Sequence, residues 1–404
     1  MKALVIAPQP FFSPRGTPFS VYYRTLITAE LGIDVHLLTY GEGQDVDIPN
    51  VKIYRIPRFP WFGPVKTGPS LLKFFLDGFL ILWTVKLLLT NKYDLVHAHE
   101  EAVFYCRFLK PLFRFKLIYD MHSSLPQQLT NFRFTKSQTL LTLFNKLEHT
   151  SIRNADAVIT ICPALAEYAE SVLGYKENHL LIENSLFDEV QLVHSGSSNK
   201  NKEPPHLAEI DLPNNKRFFV YAGTLESYQG IDLLIDAFSL IHASIPEVIL
   251  LIVGGSEQQV STYRQRAKTK GIERSCRFTG VVPPATARKL VRRGSALVSP
   301  RITGSNTPLK IYEQLASGIP LVATNIFSHT QVLNDDVAFL VNPTPDDMAH
   351  GIFNALNSPK EALAKAANAK RLYAEKYSRQ AYEHKMRQLF ELIKQPAERL
   401  QLPS

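Results

Sequence analysis

The feature that most constrains this chain is an alternation, run through twice, of short β-branched or apolar runs with longer helix-patterned stretches. In the first series the runs are Lys2–Ala7, Asp34–Thr39, Asp94–Ala98, Lys116–Tyr119 and Ala157–Ile161. A second series follows at Phe218–Ala222, Val248–Val253, Cys276–Thr279, Ala296–Ser299 and Leu321–Ala323. Strands that alternate with helices imply βαβ crossovers and an open parallel sheet. Between the series, residues 195–216 read SGSSNKNKEPPHLAEIDLPNNK, a Ser-, Asn-, Lys- and Pro-rich composition suited to an exposed linker. The expected organisation is a doubly wound α/β domain over 1–194, a linker over 195–216 and a second doubly wound domain over 217–377, with a cleft between the two. A helix-patterned tail at about 378–394, with Tyr382, Met386, Leu389 and Ile393 at helical spacing, is expected to pack back on the N-terminal domain.

Composition removes several alternatives. With 45% hydrophobic and 20% charged residues the chain is too apolar to be disordered. Cys106, Cys162 and Cys276 lie far apart with no CxxC pair, so no zinc site or disulfide framework is written, which suits a reducing cytosol. The apolar start Met1–Ala7 lacks a small-residue cleavage site and reads as a first strand rather than a signal peptide. Leu71 to Leu89 is nearly all apolar and about the length of a membrane span, yet it holds Lys73, Asp77 and Lys86. Each costs about 2.5–3.5 kcal/mol at a bilayer centre, which argues against spanning. Lys73, Asp77 and Thr84 share a narrow polar stripe, leaving a wide apolar face that must meet protein or lipid.

The net charge of +8 points to an anionic partner. Between Lys52 and Lys136 there are thirteen Lys or Arg against five Asp or Glu, an excess as large as that of the whole chain. No helix-turn-helix, zinc-finger or RNP-like pattern directs this charge at nucleic acid. From Phe104 to Lys116 aromatic residues interleave with Arg107, Lys110 and Arg114, and Pro111 is expected to end or kink the helix there. With the apolar face of Leu71–Leu89 this stretch reads as an interfacial anchor on an anionic membrane surface; the alternative is an ordinary sheet-packing helix pair with a solvated basic face.

Ligands of open α/β sheets bind beyond the carboxyl ends of the strands. Two loops there share a grammar: Ser13-Pro14-Arg15-Gly16-Thr17-Pro18 and Arg301-Ile302-Thr303-Gly304-Ser305-Asn306-Thr307-Pro308-Leu309-Lys310. In each, Thr is expected as N-cap and Pro as the first helical residue. Arg301 and Lys310 place two cations at the positive end of a helix, at a cost of roughly 0.3–1 kcal/mol each that a bound phosphate or diphosphate would offset. Glu313 follows one turn deeper, where a carboxylate can accept from the vicinal hydroxyls of a ribose. The plainer alternatives are side chains extended into water and a local Lys310–Glu313 pair.

The run from Ser299 to Thr324 resembles the signature of the retaining glycosyltransferases of family 4, which have the GT-B fold of two Rossmann-like doubly wound domains facing a central cleft. Other stretches match that family in order: Tyr93–His99, Ala155–Thr160, the Glu183-Asn184-Ser185 turn, Tyr221–Leu225 with Gln229–Leu234, and Val253-Gly254-Gly255. The resemblance implies a C-terminal domain that binds a UDP- or GDP-sugar and an N-terminal domain that binds a glycan, lipid or cell-envelope acceptor. It implies no cofactor and no bound metal, and places the enzyme in the cytoplasm or on the inner face of the membrane.

By the same resemblance Glu313 holds the donor ribose, while the family's first glutamate, which would touch the sugar, falls at Ser305. The Arg and Lys common in the family's GxL…xKG loop are here Thr224 and Gln229. Arg301 and Lys310 are therefore expected to take over part of the diphosphate role. Gly223, Gly254, Gly304, Asn306, Thr307, Pro308 and Leu309 complete the expected donor site. Gly16 matches a glycine loop near the donor phosphate, and His122 the family's active-site histidine; Arg15, His99 and Glu100 are candidate acceptor contacts. Asp45-Val46-Asp47 imitates a metal-binding DxD but lies in a Gly- and Pro-flanked loop. A dinucleotide-dependent oxidoreductase is disfavoured, since no GxGxxG follows the first strand of either half. A nucleotide-sugar epimerase of the same fold and a non-catalytic nucleotide-sugar-binding homologue stay open.

Overall fold

The computed structural model describes residues 1–13, 16–59, 61, 63, 65, 70–126, 137–174, 177–184, 187, 190 and 212–394. Most of the expected linker and Arg15 fall outside the described residues. The chain divides into two compact units, Met1–Ser195 with Arg379–Ser404, and Gly196–Ser378.

In the first unit the order is β1 (Lys2–Ala7), α1 (Gly16–Glu30), β2 (Asp34–Thr39), β3 (Val51–Arg55), α2 (Leu71–Thr90), β4 (Leu95–His99), α3 (Ala102–Phe113), β5 (Lys116–Met121), α4 (Gln138–Asn154), β6 (Ala157–Thr160), α5 (Pro163–Leu173) and β7 (His179–Leu181). The strands form a seven-stranded sheet in the order β3-β2-β1-β4-β5-β6-β7, parallel at every pairing. Successive residues of β1 point to opposite faces, so Leu4 and Ile6 pack with α2, α3 and α5 while Ala3, Val5 and Ala7 pack with α1.

The second unit runs β8 (Arg217–Ala222), α6 (Ile231–Ile241), β9 (Val248–Val253), α7 (Glu257–Thr269), β10 (Cys276–Phe278), α8 (Pro284–Val291), β11 (Gly294–Ser299), α9 (Leu309–Ser317), β12 (Leu321–Thr324), α10 (Phe327–Thr330), β13 (Phe339–Val341), α11 (Pro345–Asn357) and α12 (Pro359–Lys376). Its six-stranded parallel sheet has the order β10-β9-β8-β11-β12-β13. Each sheet thus reverses its winding once, between β1 and β4 and between β8 and β11. Loops leaving adjacent strands at such a reversal diverge and open a crevice, which is where doubly wound sheets take ligands. Both units are Rossmann-like in this sense.

The last helix, α13 (Arg379–Lys394), belongs to the first unit and buries Tyr382, Met386, Leu389, Phe390 and Ile393 beside α1. Strands β3, β7 and β13 are not in the sequence reading; all are sheet edges, and the last two have three residues each. The expected Thr N-caps are corrected. Helix α1 starts at Gly16, before Thr17, and the N-cap of α9 is Pro308, whose carbonyl accepts from Ile311 at 3.0 Å. Proline has no side-chain acceptor, so α9 begins without a side-chain cap. Nor does Pro111 end α3, which runs on to Phe113 and stops at left-handed Arg114.

The polar stripe of α2 faces inward. Lys73 pairs with Glu101 at 2.9 Å, Asp77 accepts from the Tyr40 hydroxyl at 2.5 Å, and Thr84 is buried. The opposite face leaves Leu71, Phe74, Phe75, Ile81, Leu82 and Leu89 exposed. No helix among the described residues is long and apolar enough to cross a membrane.

Candidate active site

Two clusters occupy the reversal points, one in each unit. In the second unit, β8 ends at Ala222 and the chain turns at Gly223 (φ +153°). Gly254, leaving the neighbouring β9 at φ +115°, packs so tightly that a Cβ would overlap the Gly223 carbonyl. These two glycines bring bare backbone to the strand ends, as close approach to a ligand requires.

Onto this floor comes Lys310. Instead of lying along its own helix, the side chain reaches back to the turn after β8, where its ammonium donates to Gln229 Oε1 at 2.9 Å and lies 4.4 Å from the centre of the Tyr221 ring. Gln229 is buried and Thr224 exposed. Burial, helped by repulsion from Arg301, pushes the Lys310 pKa down to about 7. Arg301, leaving β11, lies over the Tyr228 ring at 5.3 Å; its Nε donates to Thr303 O at 2.6 Å and its guanidinium fills the space beside Gly304. Two cations thus converge on the uncapped N-terminus of α9, a combination that suits a diphosphate.

Around them, Ser305 is exposed and its carbonyl accepts from Gln331 Nε2 at 2.7 Å. Asn306, Thr307, Pro308 and Leu309 are half-buried. The Thr307 hydroxyl is buried with no hydrogen-bond partner among the described residues. Glu313 stays on the solvent side of α9; the surrounding protein raises its carboxyl pKa, and Arg288 pulls the other way. No Lys310–Glu313 ion pair is present among the described residues. Tyr221 and Tyr228, which seat the cations, are not among the site residues expected from the sequence, although Tyr221 opens a stretch matched to the family and Tyr228 directly precedes Gln229.

In the first unit the cluster is built on β4 and β5. His97 and His99 sit two residues apart on β4, with rings stacked at 4.7 Å, and Asp120 and His122 face them from β5 and its end. Asp120 accepts from His97 Nε2 at 2.9 Å and forms a fully buried ion pair with Arg24 of α1. Arg24 also donates to the Tyr382 hydroxyl and the Ile182 carbonyl, both at 2.9 Å. His99 Nδ1 and His122 Nε2 share a hydrogen bond at 2.9 Å. Burial holds His122 down at about 4 despite Asp120, so its imidazole is neutral near pH 7.

Glu100, next along from β4, adopts a left-handed backbone (φ +47°) and lies 3.4 Å from the Ser123 hydroxyl. Burial and the Glu101 charge push its carboxyl up to about 7. Beyond His122, Glu148 of α4 pins the turn by accepting from Ser124 Oγ and Leu125 N, both at 2.8 Å. Arg24, Asp120, His97 and Glu148 are not among the site residues expected from the sequence, although His97 lies in the matched stretch Tyr93–His99 and Asp120 stands two residues before His122 on one strand face. Gly16 is the first residue of α1.

His97, His99 and Asp120 bring three donor atoms within 4.8 Å of one another. The set does not fit a metal ion, because Arg24 already neutralises the carboxylate and a cation there would meet a buried guanidinium. Asp45, of the DxD-like stretch, pairs with Arg55 at 3.2 Å.

The glycosyl transferase 4-like domain matches residues 27–184, and the domain described as glycosyl transferases group 1 matches residues 202–372. The chain belongs to the GT-B glycosyltransferases. A phosphatidyl-myo-inositol mannosyltransferase of Mycobacterium leprae is 32% identical over 126 residues, 31% of this chain and 32% of its own length. One subunit of the phosphatidylinositol N-acetylglucosaminyltransferase of Arabidopsis thaliana is 23% identical over 88% of this chain and 75% of its own. The mannosyltransferase is thus matched along about a third of its length. Among solved structures, sucrose-phosphate synthase from Thermosynechococcus elongatus aligns at a TM-score of 0.71 with 19% identity, covering 96% of this glycosyltransferase and 98% of the synthase. Anabaena HepE in complex with UDP aligns at 0.69 with 18% identity, covering 97% and 100%. At these identities the structures share the fold with this GT-B glycosyltransferase.

Proposed function

We propose that the protein is a retaining, metal-independent glycosyltransferase that moves a sugar, of hexose type, from a UDP- or GDP-sugar to a hydroxyl of a lipid, lipid-linked or cell-envelope glycan acceptor. The observation that carries this reading is the Lys310 ammonium, held between the Gln229 amide and the Tyr221 ring at the end of β8. It returns a positive charge to the loop where Gln229 stands in place of the family's lysine.

Charge leaving with the diphosphate is met by Lys310, Arg301 and the free amides of α9, an electrostatic role that replaces a metal ion. The backbone of Gly223, Gly254 and residues 304–309 lines the donor, and Glu313 holds the ribose. The acceptor hydroxyl attacks from the face the diphosphate leaves, and its proton passes to the departing phosphate oxygen. Neutral His122 hydrogen-bonds a sugar hydroxyl, with Asp120 and His99 fixing its ring, while Glu100 and Arg15 contact the acceptor.

A lipid acceptor agrees with the acceptors named for the mycobacterial and plant relatives and with the exposed apolar face of α2. That face carries no exposed carboxylate, since Asp77 turns inward to Tyr40, and exposed Lys86 lies beside it. Exposed Arg114 follows α3, whose Phe108 and Leu112 are also exposed. We assign this surface to an anionic membrane, on the cytoplasmic side given three buried cysteines that form no disulfide. Lys110 is removed from the anchor because it pairs with Asp156 at 2.7 Å, and Arg107 folds over the Phe108 ring.

The test is to incubate the protein with UDP- and GDP-sugars, with and without vesicles containing phosphatidylinositol or lipid-linked sugars, and to determine the anomeric configuration of any product by NMR. Nucleoside diphosphate released only with an acceptor, in an α-linked product from an α-linked donor, is the expected result. Release of none, or interconversion of the donor sugar alone, would point to the binding protein or the epimerase.

A further inference from the structure

Behind Arg301 lies a buried polar chain that neither cation needs for its own contacts. Ser299, at the end of β11, Thr324, at the end of β12, and His329 of α10 are all fully buried. His329 Nδ1 lies 2.9 Å from the Thr324 carbonyl, and Nε2 lies 3.0 Å from the Ser299 hydroxyl. A carbonyl can only accept, so Nδ1 carries the proton, Nε2 is the acceptor, and the Ser299 hydroxyl donates to it. The Thr324 hydroxyl in turn donates to the Arg301 carbonyl. Every direction in the chain is therefore set, from Ser299 through His329 and Thr324 to the backbone of Arg301.

We propose that His329 and Thr324 are positioning residues for Arg301, holding its backbone at the β11 end so that the guanidinium meets a bound diphosphate. This rests on the nucleotide-sugar reading above. A neutral imidazole suits the task, since a protonated ring would add a third positive charge beside Arg301 and Lys310. Burial, with the charges of Lys310 and Arg301, holds the ring at about 4 even though the Thr324 carbonyl favours its charged form. A one-residue link could not do this work: Thr324 and Arg301 lie 23 positions apart, and their hydrogen bond ties the loop after β11 to the next strand.

The two nitrogens give the proposal a sharp test. An Asn side chain at 329 places its amide near Nδ1 and keeps the Thr324 link, whereas Gln places it near Nε2 and keeps the Ser299 link. UDP and GDP are titrated calorimetrically against the full chain and against Thr324→Val, His329→Leu, His329→Asn and His329→Gln, each with and without Arg301→Ala, and thermal midpoints are recorded alongside.

If the proposal holds, Thr324→Val and His329→Leu each weaken the tighter-binding nucleotide about tenfold, the loss expected when a buried carbonyl loses its partner and an adjacent cation shifts. His329→Asn keeps most of the affinity and His329→Gln does not. With Arg301→Ala present the same changes cost less than about twofold, since coupled residues are not additive. An undiminished loss in the Arg301→Ala background, or a lowered thermal midpoint with unchanged affinity, would show a structural role alone and overturn the proposal. Variants too unstable to titrate leave Thr324→Val, which keeps the side chain's shape, to decide it. Failure of the unmodified protein to bind either nucleotide overturns the nucleotide-sugar reading, and this proposal with it.

Discussion

The Lys310 ammonium and the Gln229 amide oxygen are 2.9 Å apart although their residues are 81 positions apart in the chain. That bond carries a charge from the first turn of α9 to the floor of the crevice between β8 and β11, where burial and the nearby Arg301 make it sensitive to pH near neutrality.

With its pKa at about 7 in the folded protein and about 10.4 in an unfolded chain, Lys310 binds fewer protons when folded across that window. Stability of the unliganded protein should therefore rise with pH from about 7 towards 10. A diphosphate favours the protonated form, so the Kd for UDP or GDP should climb as pH rises above 7, approaching about tenfold per unit until the bound-state pKa is reached. Calorimetric titration from pH 6 to 9 measures this. Lys310→Met should bind more weakly at pH 6.5 and flatten the curve; a flat curve for the unmodified protein would remove Lys310 from the phosphate site.

Glu313→Ala should weaken nucleotide binding by about 1.5–3 kcal/mol, the value of a hydrogen bond to a charged acceptor. Glu313→Gln should fall between, because its amide oxygen still accepts. Comparing UDP with 2′-deoxy-UDP checks the assignment: the analogue should lose affinity for the unmodified protein and little further for Glu313→Ala.

At Gly254 a new Cβ meets the carbonyl of Gly223 on backbone at φ +115°. Gly254→Ala should cost roughly 1–3 kcal/mol in strain and displace the Gly223 turn on which Lys310 lies. Urea unfolding gives the first quantity and UDP titration the second. A variant with full stability and full affinity would contradict the packing described for the β8 and β9 ends.

Arg24→Met leaves Asp120 as a buried carboxylate supported by histidines alone. Breaking one side of such a pair costs about 3–5 kcal/mol, which chemical denaturation should register even though Arg24 itself is hidden from solvent. Arg24 also holds Tyr382, so α13 should loosen together with the histidine cluster, seen as faster amide exchange over 379–394.

Vesicles of anionic phospholipid should sediment the protein at low salt. Replacing Phe74, Ile81 and Leu82 together by Ser should abolish this, and Lys86→Ala with Arg114→Ala should weaken it by about 1 kcal/mol per charge. Lys110→Ala should change little, since its ammonium is committed to Asp156. Equal binding by all variants would move the membrane contact elsewhere.

Both sheets were legible in the sequence because parallel strands covered by helices announce themselves as unbroken apolar runs, as in Val248–Val253, where every residue is buried. Edge strands such as His179–Leu181 are short and half-buried, and so lack that signal. Arg301, Lys310, Glu313 and His122 could be singled out because strand-following loops are where such sheets take ligands, and because cations at a helix N-terminus go against the dipole. What the local sequence could not show was direction. Nothing near Lys310 says that its side chain leaves α9 for Gln229, that Pro308 rather than Thr307 caps that helix, or that the stripe of α2 carrying Lys73 and Asp77 turns inward and leaves Phe74 and Leu82 in solvent.

The sequence by itself determined the period, the strand count at the core and the loops in which chemistry had to lie, since these depend on spacing along the chain. Only the tertiary structure decided the partners: Arg24 with Asp120, Lys385 with Glu183, and His329 with Ser299. Ion pairs and hydrogen bonds form between groups within about 3–4 Å in space, and in a sheet whose order reverses, residues that distant in sequence become neighbours through the winding of strands rather than through any local pattern.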